Sequence, residues 1–169
     1  MPEPAFPVPA TLTARVALAD VGQLLRPRLM KLGLIVTALS YAIARPQPFD
    51  PLHLAWVLGG AGLALGAASA FNQVLERDVD ARMRRTADRP LPAGRMTVAM
   101  ALWLACGMTA LGLAMLALRA PLAAVCAAAG MVVYVGVYTP LKRVNGLATV
   151  IGAVPGAVPV LIGWAAAVE

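Results

Sequence analysis

A stripe of polar side chains stands at the end of one long apolar stretch of this sequence. Asn72, Glu76 and Asp80 are spaced i, i+4 and i+8, so at about 100° per residue they lie on one side of a helix. Amide and carboxylate oxygens are ligands for Mg²⁺, which commonly uses one or two carboxylates together with phosphate oxygens of a substrate. The spacing therefore predicts half of a metal site, with a phosphorylated ligand supplying the rest.

The geometry of a helix limits how these side chains share one ion. Eight residues of helix rise about 12 Å, whereas the ligands of Mg²⁺ lie at about 2.0 to 2.1 Å. We therefore expect two of the three side chains to bind the ion, or all three to bind it through water. Asp78 points to the opposite side of the same helix and is a further candidate if the helix unwinds there.

Six arginines lie within or after the stripe in the sequence, and their positive charge is opposite to that of its carboxylates. Mixed carboxylate and guanidinium groups suit a metal-bound diphosphate better than a bare ion of either sign. Charged loops also orient membrane proteins and contact anionic lipid, which is the alternative explanation. Acidic residues contribute little to orientation, which favours a binding site. The six arginines are Arg77, Arg82, Arg84, Arg85, Arg89 and Arg95.

Composition places these residues in an integral membrane protein. Apolar residues make up 60% of the chain and charged residues 13%, and the mean hydropathy is +0.78. The apolar residues fall in blocks of about the 20 residues that a membrane-spanning helix needs. We predict an all-α, polytopic transmembrane bundle with five spans, preceded by a mobile tail at residues 1–25, where four of the first nine residues are proline. The spans are expected at about residues 28–44, 52–75, 96–118, 122–138 and 147–167.

The distribution of basic residues predicts the orientation of the chain. With the N-terminus in the cytoplasm, twelve basic residues fall on the cytoplasmic side, and only Arg45 and Arg119 fall outside. Lys142 and Arg143 then share a membrane face with the polar stripe. The net charge of +6 is explained by these loops, so we expect no nucleic acid partner.

Small residues precede the polar stripe on the same helix face. Ala68, Ala64 and Gly60 recede from Asn72 in steps of four. They predict either close helix packing or a groove for a long apolar chain.

The motifs resemble those of a known family. Asn72-x3-Glu76-x3-Asp80 followed by RMRRTADRPLPAGR resembles the first aspartate-rich motif of the UbiA superfamily of intramembrane prenyltransferases. Within that superfamily, RT-x2-RPLPAGR, YTPLKR and VIGAVPGAVPVLIGWAA look like the protohaem IX farnesyltransferases, or haem O synthases. The likeness runs from about Arg26 to the last residue.

The resemblance implies a fold, a reaction and a set of residues. It implies a bundle of about nine helices, Mg²⁺ bound together with farnesyl diphosphate, and transfer of the farnesyl group to a vinyl group of haem B, the second substrate. Water is added to the vinyl group and diphosphate is released. Asn72, Glu76 and Asp80 match the metal-binding positions of the family. The matches that we assign to the diphosphate are Arg85, Arg89, Lys142 and Arg143, with Tyr138 either a polar contact or an interfacial anchor.

Five spans are about half of the bundle that the resemblance implies. We therefore expect a fragment, a truncated product or one part of a split protein, inactive alone and completed by a C-terminal complementing chain. The expected location is the bacterial inner membrane. The alternatives are a prenyltransferase for a quinone or chlorophyll precursor, a small membrane transporter, and an assembly factor without enzymatic activity.

Overall fold

The computed structural model describes residues 18–44, 49–142 and 148–169, without the side chains of residues 148 and 149. These ranges form helices joined by turns, as the sequence predicts. A π-helical segment, Val132–Tyr138, lies between α5 and α6. The helices are α1 (Leu18–Leu25), α2 (Pro27–Ala44), α3 (Pro51–Asp80), α4 (Val98–Arg119), α5 (Pro121–Met131), α6 (Thr139–Leu141) and α7 (Ala148–Val168).

The described residues contain five helical stretches long and apolar enough to cross a membrane, which agrees with the five predicted spans. Four of them are α2, α3, α4 and most of α7, and the fifth runs from Pro121 to Leu141. The main difference is that α3 continues to Asp80, beyond the predicted end at residue 75. The prediction placed the end where polarity rises, whereas Glu and Arg are good helix formers and residues 76–80 contain no glycine or proline.

Residues 18–25 belong to the segment for which a mobile tail is predicted. They form α1, in which Leu24 is fully buried beside Ala70 of α3. The four prolines that suggested mobility all lie at or before Pro9, so no proline interrupts a helix in this segment. Residues 1–17 lie outside the described part of the chain.

Helix α3 packs most extensively against α4, and two glycines let the backbones approach. A Cβ atom on Gly60 would lie 3.0 Å from the Gly112 carbonyl oxygen, and one on Gly112 would lie 2.9 Å from the Gly60 carbonyl oxygen. Neither position has room for a larger side chain. Small residues on α3 therefore serve helix packing at Gly60, which is one of the two roles that the sequence predicts.

Helices α2 and α7 pack against each other as a second helix pair. The Ser40 hydroxyl donates a hydrogen bond of 2.8 Å to the Val160 carbonyl oxygen, and a Cβ atom on Gly163 would collide with the Thr37 carbonyl oxygen. Between this pair and α3 the bundle leaves a cavity, and the polar stripe of α3 lies close to one end of it.

Candidate functional site

The polar stripe lies on the last turns of α3 and faces the interior of the bundle. Asn72 is fully buried, and Glu76 and Asp80 are 8% and 5% exposed. Because α3 remains helical as far as Asp80, all three side chains keep the common face that their spacing predicts. Buried carboxylates require partners, and each of these has them.

Asn72 joins the stripe to the helix that carries YTPLKR. Its Nδ2 donates a hydrogen bond of 2.5 Å to Glu76 Oε2. Thr139 Oγ1 lies 3.2 Å from Asn72 Oδ1 and 2.7 Å from the Tyr134 carbonyl oxygen. A hydroxyl has one proton to donate, so these two acceptors compete for it. Sequence reasoning missed Thr139, although it lies inside the YTPLKR element from which Tyr138, Lys142 and Arg143 were chosen.

Cations neutralise both carboxylates of the stripe. The Lys142 ammonium group forms an ion pair with Glu76 Oε1, and Arg89 Nη1 forms one of 2.5 Å with Asp80 Oδ2. Arg26 Nη2 lies 4.0 Å from Glu76 Oε2. The structure thus brings together five of the residues that the sequence selects and adds Arg26, which the sequence analysis treated only as a topological charge.

Two predicted site residues, Asp78 and Arg85, stand apart from this cluster. The Asp78 side chain is 83% exposed and pairs with Arg77 at 3.4 Å, as expected for the opposite side of α3. Arg85 is exposed and forms no ion pair with the stripe in the described part of the chain. Arg143 lies outside the described residues.

A cavity of about 550 Å³ adjoins the cluster. Arg26, Tyr134, Tyr138 and Lys142 line it, and most of its remaining walls are apolar. The two tyrosine rings stack with centroids 5.7 Å apart, and Lys142 Nζ lies 5.3 Å from the Tyr138 ring centroid. Tyr138 thus contacts the polar cluster and the cavity together, in addition to any interfacial role.

The small residues below the polar stripe divide between a cavity wall and a helix contact. Ala64 and Ala68 line the cavity, whereas Gly60 packs against Leu116 and Gly112 of α4. The face of α3 therefore changes function along its length, from helix packing at Gly60 to a cavity wall at Ala68 and the polar cluster at Asn72.

The loop after α3 is tied to α1 through Arg95. Arg95 Nε donates a hydrogen bond of 2.8 Å to Asp20 Oδ1, and Nη1 donates one of 3.0 Å to Asp88 Oδ1. These hydrogen bonds, first to Asp20 and then to Asp88, raise the pKa of Arg95 above its ordinary value. At the C-terminal end of α1, Gln73 Nε2 donates to the Leu24 carbonyl oxygen at 2.6 Å. Helix α1 is therefore tied to both α3 and the loop.

The donor set fits Mg²⁺ that arrives with a phosphorylated ligand. The described residues contain no group of three or more His, Cys, Asp or Glu side chains suited to holding a metal ion. Two carboxylates and one amide oxygen lie on one helix face, which is the small protein share that Mg²⁺ usually takes when phosphate oxygens complete its shell. The neighbouring cations, Lys142 and Arg89, are opposite in charge to those phosphates.

These features define a class: an integral membrane helix bundle with a carboxylate and cation cluster beside a largely apolar cavity, suited to an amphiphile with an anionic head. The chain belongs to the UbiA prenyltransferase family, whose sequence pattern matches residues 33–169.

Within this family, the chain is similar to curated relatives that share one name. The chain is 46% identical over 149 residues to the protoheme IX farnesyltransferase of Anaeromyxobacter sp. (strain Fw109-5), covering 88% of this chain and 50% of the relative. It is 43% identical over 157 residues to the enzyme of the same name from Opitutus terrae, covering 92% and 53%. The chain spans about half the length of the curated relatives it matches.

Solved structures share the fold. A UbiA homologue from Archaeoglobus fulgidus bound to GPP and Mg²⁺ superposes with a TM-score of 0.76 at 18% identity, over 89% of this chain and 54% of that one. A structure of digeranylgeranylglyceryl phosphate synthase superposes with a TM-score of 0.78 at 18% identity, over 86% and 52%. At 18% identity the likeness shows a shared fold and does not identify the substrate.

Proposed function

We propose that this chain supplies one half of a protohaem IX farnesyltransferase, which transfers a farnesyl group from farnesyl diphosphate to a vinyl group of haem B and forms haem O. The observation that carries the proposal is the cluster of Asn72, Glu76 and Asp80 with Lys142 and Arg89, placed beside a cavity of about 550 Å³. The names of the relatives supply the acceptor, haem B.

The reaction requires a charged leaving group to depart next to an apolar chain. The bond between C1 of the farnesyl group and the diphosphate oxygen breaks, and C1 bonds to the terminal carbon of the vinyl group. Water adds its hydroxyl to the other vinyl carbon, and its proton goes to the released diphosphate. Negative charge thus grows on the diphosphate while positive charge grows on carbon.

The proposed roles follow from charge. Asn72, Glu76 and Asp80 would hold Mg²⁺, which when bound neutralises charge on the diphosphate. Lys142 and Arg89 lie beside these carboxylates and would bind oxygens of the diphosphate. Arg85 and Arg143 are proposed to bind the same group.

The cavity supplies the other half of the chemistry. Ala64 and Ala68 give it a smooth apolar wall, and Tyr134 and Tyr138 place aromatic rings at its polar end. An apolar enclosure protects an allylic cation from premature capture by water. The farnesyl chain is therefore assigned to this cavity.

We also propose the location and the orientation. The relatives are bacterial, and the polar loop between α3 and α4 carries five arginines, against Arg119 alone at the turn between α4 and α5. By the positive-inside rule the polar loop faces the cytoplasm of a bacterium, and the N-terminus with it. Cysteines introduced at exposed Arg84 and Arg119 test this, since only the second should react with an impermeant thiol reagent in intact cells.

A reconstituted assay tests the function. Membranes containing this chain, alone or with the second half of the Anaeromyxobacter relative, receive farnesyl diphosphate, haem B and Mg²⁺, and haem O is detected by mass. We expect product only from the combination. Product from the chain alone would refute the need for a second half, and absence of haem O from the combination, with the intact relative active, would refute the function.

Other classes make different predictions in the same assay. Transfer to an aromatic quinone precursor in place of haem B would indicate the related prenyltransferase class. A transporter more commonly places its ionisable groups near the bilayer midplane, whereas Glu76 and Asp80 lie on the last two turns of α3. The position of the carboxylates favours the prenyltransferase.

A further inference from the structure

Arg26 lies at the break between α1 and α2 and has a left-handed backbone. Its φ is 51°, and it is the one residue other than glycine with positive φ in the described part of the chain. Its N–H lies 3.4 Å from the Gln23 carbonyl oxygen at the end of α1, and its own carbonyl oxygen accepts from Leu29 N and Met30 N at 3.0 and 3.1 Å. One residue thus ends the first helix and starts the second.

An arginine is an unusual residue for this backbone conformation. A Cβ atom disfavours the left-handed region, so helices that end this way usually place glycine there. The backbone at residue 26 would therefore be served better by glycine. The presence of a long cationic side chain at such a position points to a use for the side chain itself.

The side chain reaches the polar end of the cavity. It is 20% exposed, lines the cavity with Lys142, and its Nε is buried without a hydrogen-bond partner among the described residues. Nη2 lies 4.0 Å from Glu76 Oε2, too far for a hydrogen bond, while Lys142 pairs with the other oxygen of that carboxylate. Arg26 therefore keeps unused donor capacity inside the site, where an unsatisfied donor is costly.

We propose that Arg26 is a further diphosphate-binding residue of this site, a proposal that rests on the proposed function. A guanidinium group presents its N–H donors as a rigid planar fork that matches two phosphate oxygens. Arg26 and Lys142 approach Glu76 at different oxygens. Together they place positive charge at two points around the carboxylate that is assigned to the metal.

The left-handed backbone provides a test that separates binding from folding. Arg26→Gly removes the guanidinium group and also relieves the backbone, so it should weaken binding without lowering thermal stability. Arg26→Lys keeps the charge but loses the fork. Arg28→Ala is the matched control, since Arg28 is an exposed residue two positions away and its loss changes the net charge equally.

The chain or a variant is combined with the second half of the Anaeromyxobacter relative in lipid nanodiscs with Mg²⁺, and the Kd values of farnesyl diphosphate and inorganic diphosphate are measured by calorimetry. Farnesol serves as the uncharged probe. We expect Arg26→Gly to weaken binding of both diphosphates about 10- to 100-fold, with farnesol binding and the melting temperature not reduced. Arg26→Lys should recover part of the loss, and Arg28→Ala should bind as wild type does.

Each other result counts against the proposal. Wild-type affinity in Arg26→Gly, or an equal loss in Arg28→Ala, overturns the role of Arg26 and leaves the proposed function standing. A wild-type combination that binds neither diphosphate, while the intact relative binds them, overturns both. If Arg26→Gly melts at a lower temperature, Arg26→Gln decides: a similar loss of affinity at wild-type stability supports the role, and unchanged affinity overturns it.

Discussion

The ammonium group of Lys142 forms an ion pair with the carboxylate of Glu76, joining the residue after α6 to the end of α3. Thr139 and Asn72 connect the same two segments one turn deeper. Two sequence motifs that are far apart in the chain thus form one polar cluster. Its carboxylates are the first target for mutation.

Glu76→Gln and Asp80→Asn each remove one negative charge and keep the shape of the side chain. We expect each to lower the rate of farnesyl transfer by about 100-fold or more, because the proposed role of these residues is to hold the leaving diphosphate, whose charge grows in the transition state. Each ion pair joins a buried carboxylate to a partly exposed cation, so the loss of stability should exceed that of an exposed pair and reach about 1–3 kcal/mol. Haem O formation and the melting temperature are measured in the combination of this chain with the second half of the Anaeromyxobacter relative.

Asp78→Asn is the matched control for these two variants. It removes the same charge from the same helix, at a side chain that is 83% exposed. It should retain near wild-type turnover. Equal losses in all three variants would mean that overall charge matters, and unchanged turnover in Glu76→Gln and Asp80→Asn would give both residues a purely structural role.

The spacing of polar residues predicted the stripe because a single helix determines it. Asn72, Glu76 and Asp80 needed only 3.6 residues per turn. Arg85 and Arg89 lie in the same loop, and both match the family motif, yet only Arg89 pairs with Asp80. Which arginine reaches Asp80 depends on the turns at residues 81–97. No local pattern distinguishes the two arginines.

The missing parts of the site depend on backbone conformation and tertiary contacts. Arg26 enters the cluster because its left-handed φ turns the chain between α1 and α2. Thr139 enters because the π-helical segment before it directs its hydroxyl to Tyr134 and Asn72. Neither feature produces a periodic pattern of apolar residues that sequence analysis could detect. Pro27 does signal the start of a helix, since proline is favoured at the first helical position.

Two glycines of α4 should respond oppositely to a methyl group. A Cβ atom on Gly112 would lie 2.9 Å from the Gly60 carbonyl oxygen, whereas one on Gly107 would meet nothing within 4 Å. Gly112→Ala should lower the free energy of unfolding by about 1–3 kcal/mol, because two backbones must separate. Gly107→Ala should raise it slightly, by up to about 1 kcal/mol, since alanine favours helix. Thermal unfolding in detergent ranks the two, and the reverse order would show that α3 and α4 do not pack this closely.

The contacts of Arg95 should hold α1 in place. Arg95→Ala removes its hydrogen bonds to Asp20 and Asp88, so we expect faster hydrogen exchange in Leu18–Leu25. Arg82→Ala, at another exposed arginine of the same loop, is the control and should leave exchange there unchanged.

The same contact has a predictable response to alkali. The raised pKa of Arg95 means that its stabilising contribution is complete below the unfolded pKa and is lost only as the pH rises through the folded value. The protection of α1 that depends on Arg95 should therefore persist throughout the neutral and moderately alkaline range. Loss of the difference between wild type and Arg95→Ala near pH 9 would contradict this.

The length of prenyl chain that binds should depend on Ala68, which lines the cavity below the polar stripe. Ala68→Leu adds three carbon atoms to the wall and shortens the space behind the diphosphate site. We expect the KM for farnesyl diphosphate to rise about tenfold, since displaced methylene groups are worth about 0.8 kcal/mol each, while the shorter geranyl diphosphate is less affected. Ala110→Leu, on an exposed position of α4, is the control and should alter neither. If Ala68→Leu raises the KM of both substrates equally, Ala68 disturbs the diphosphate end and the farnesyl chain lies elsewhere.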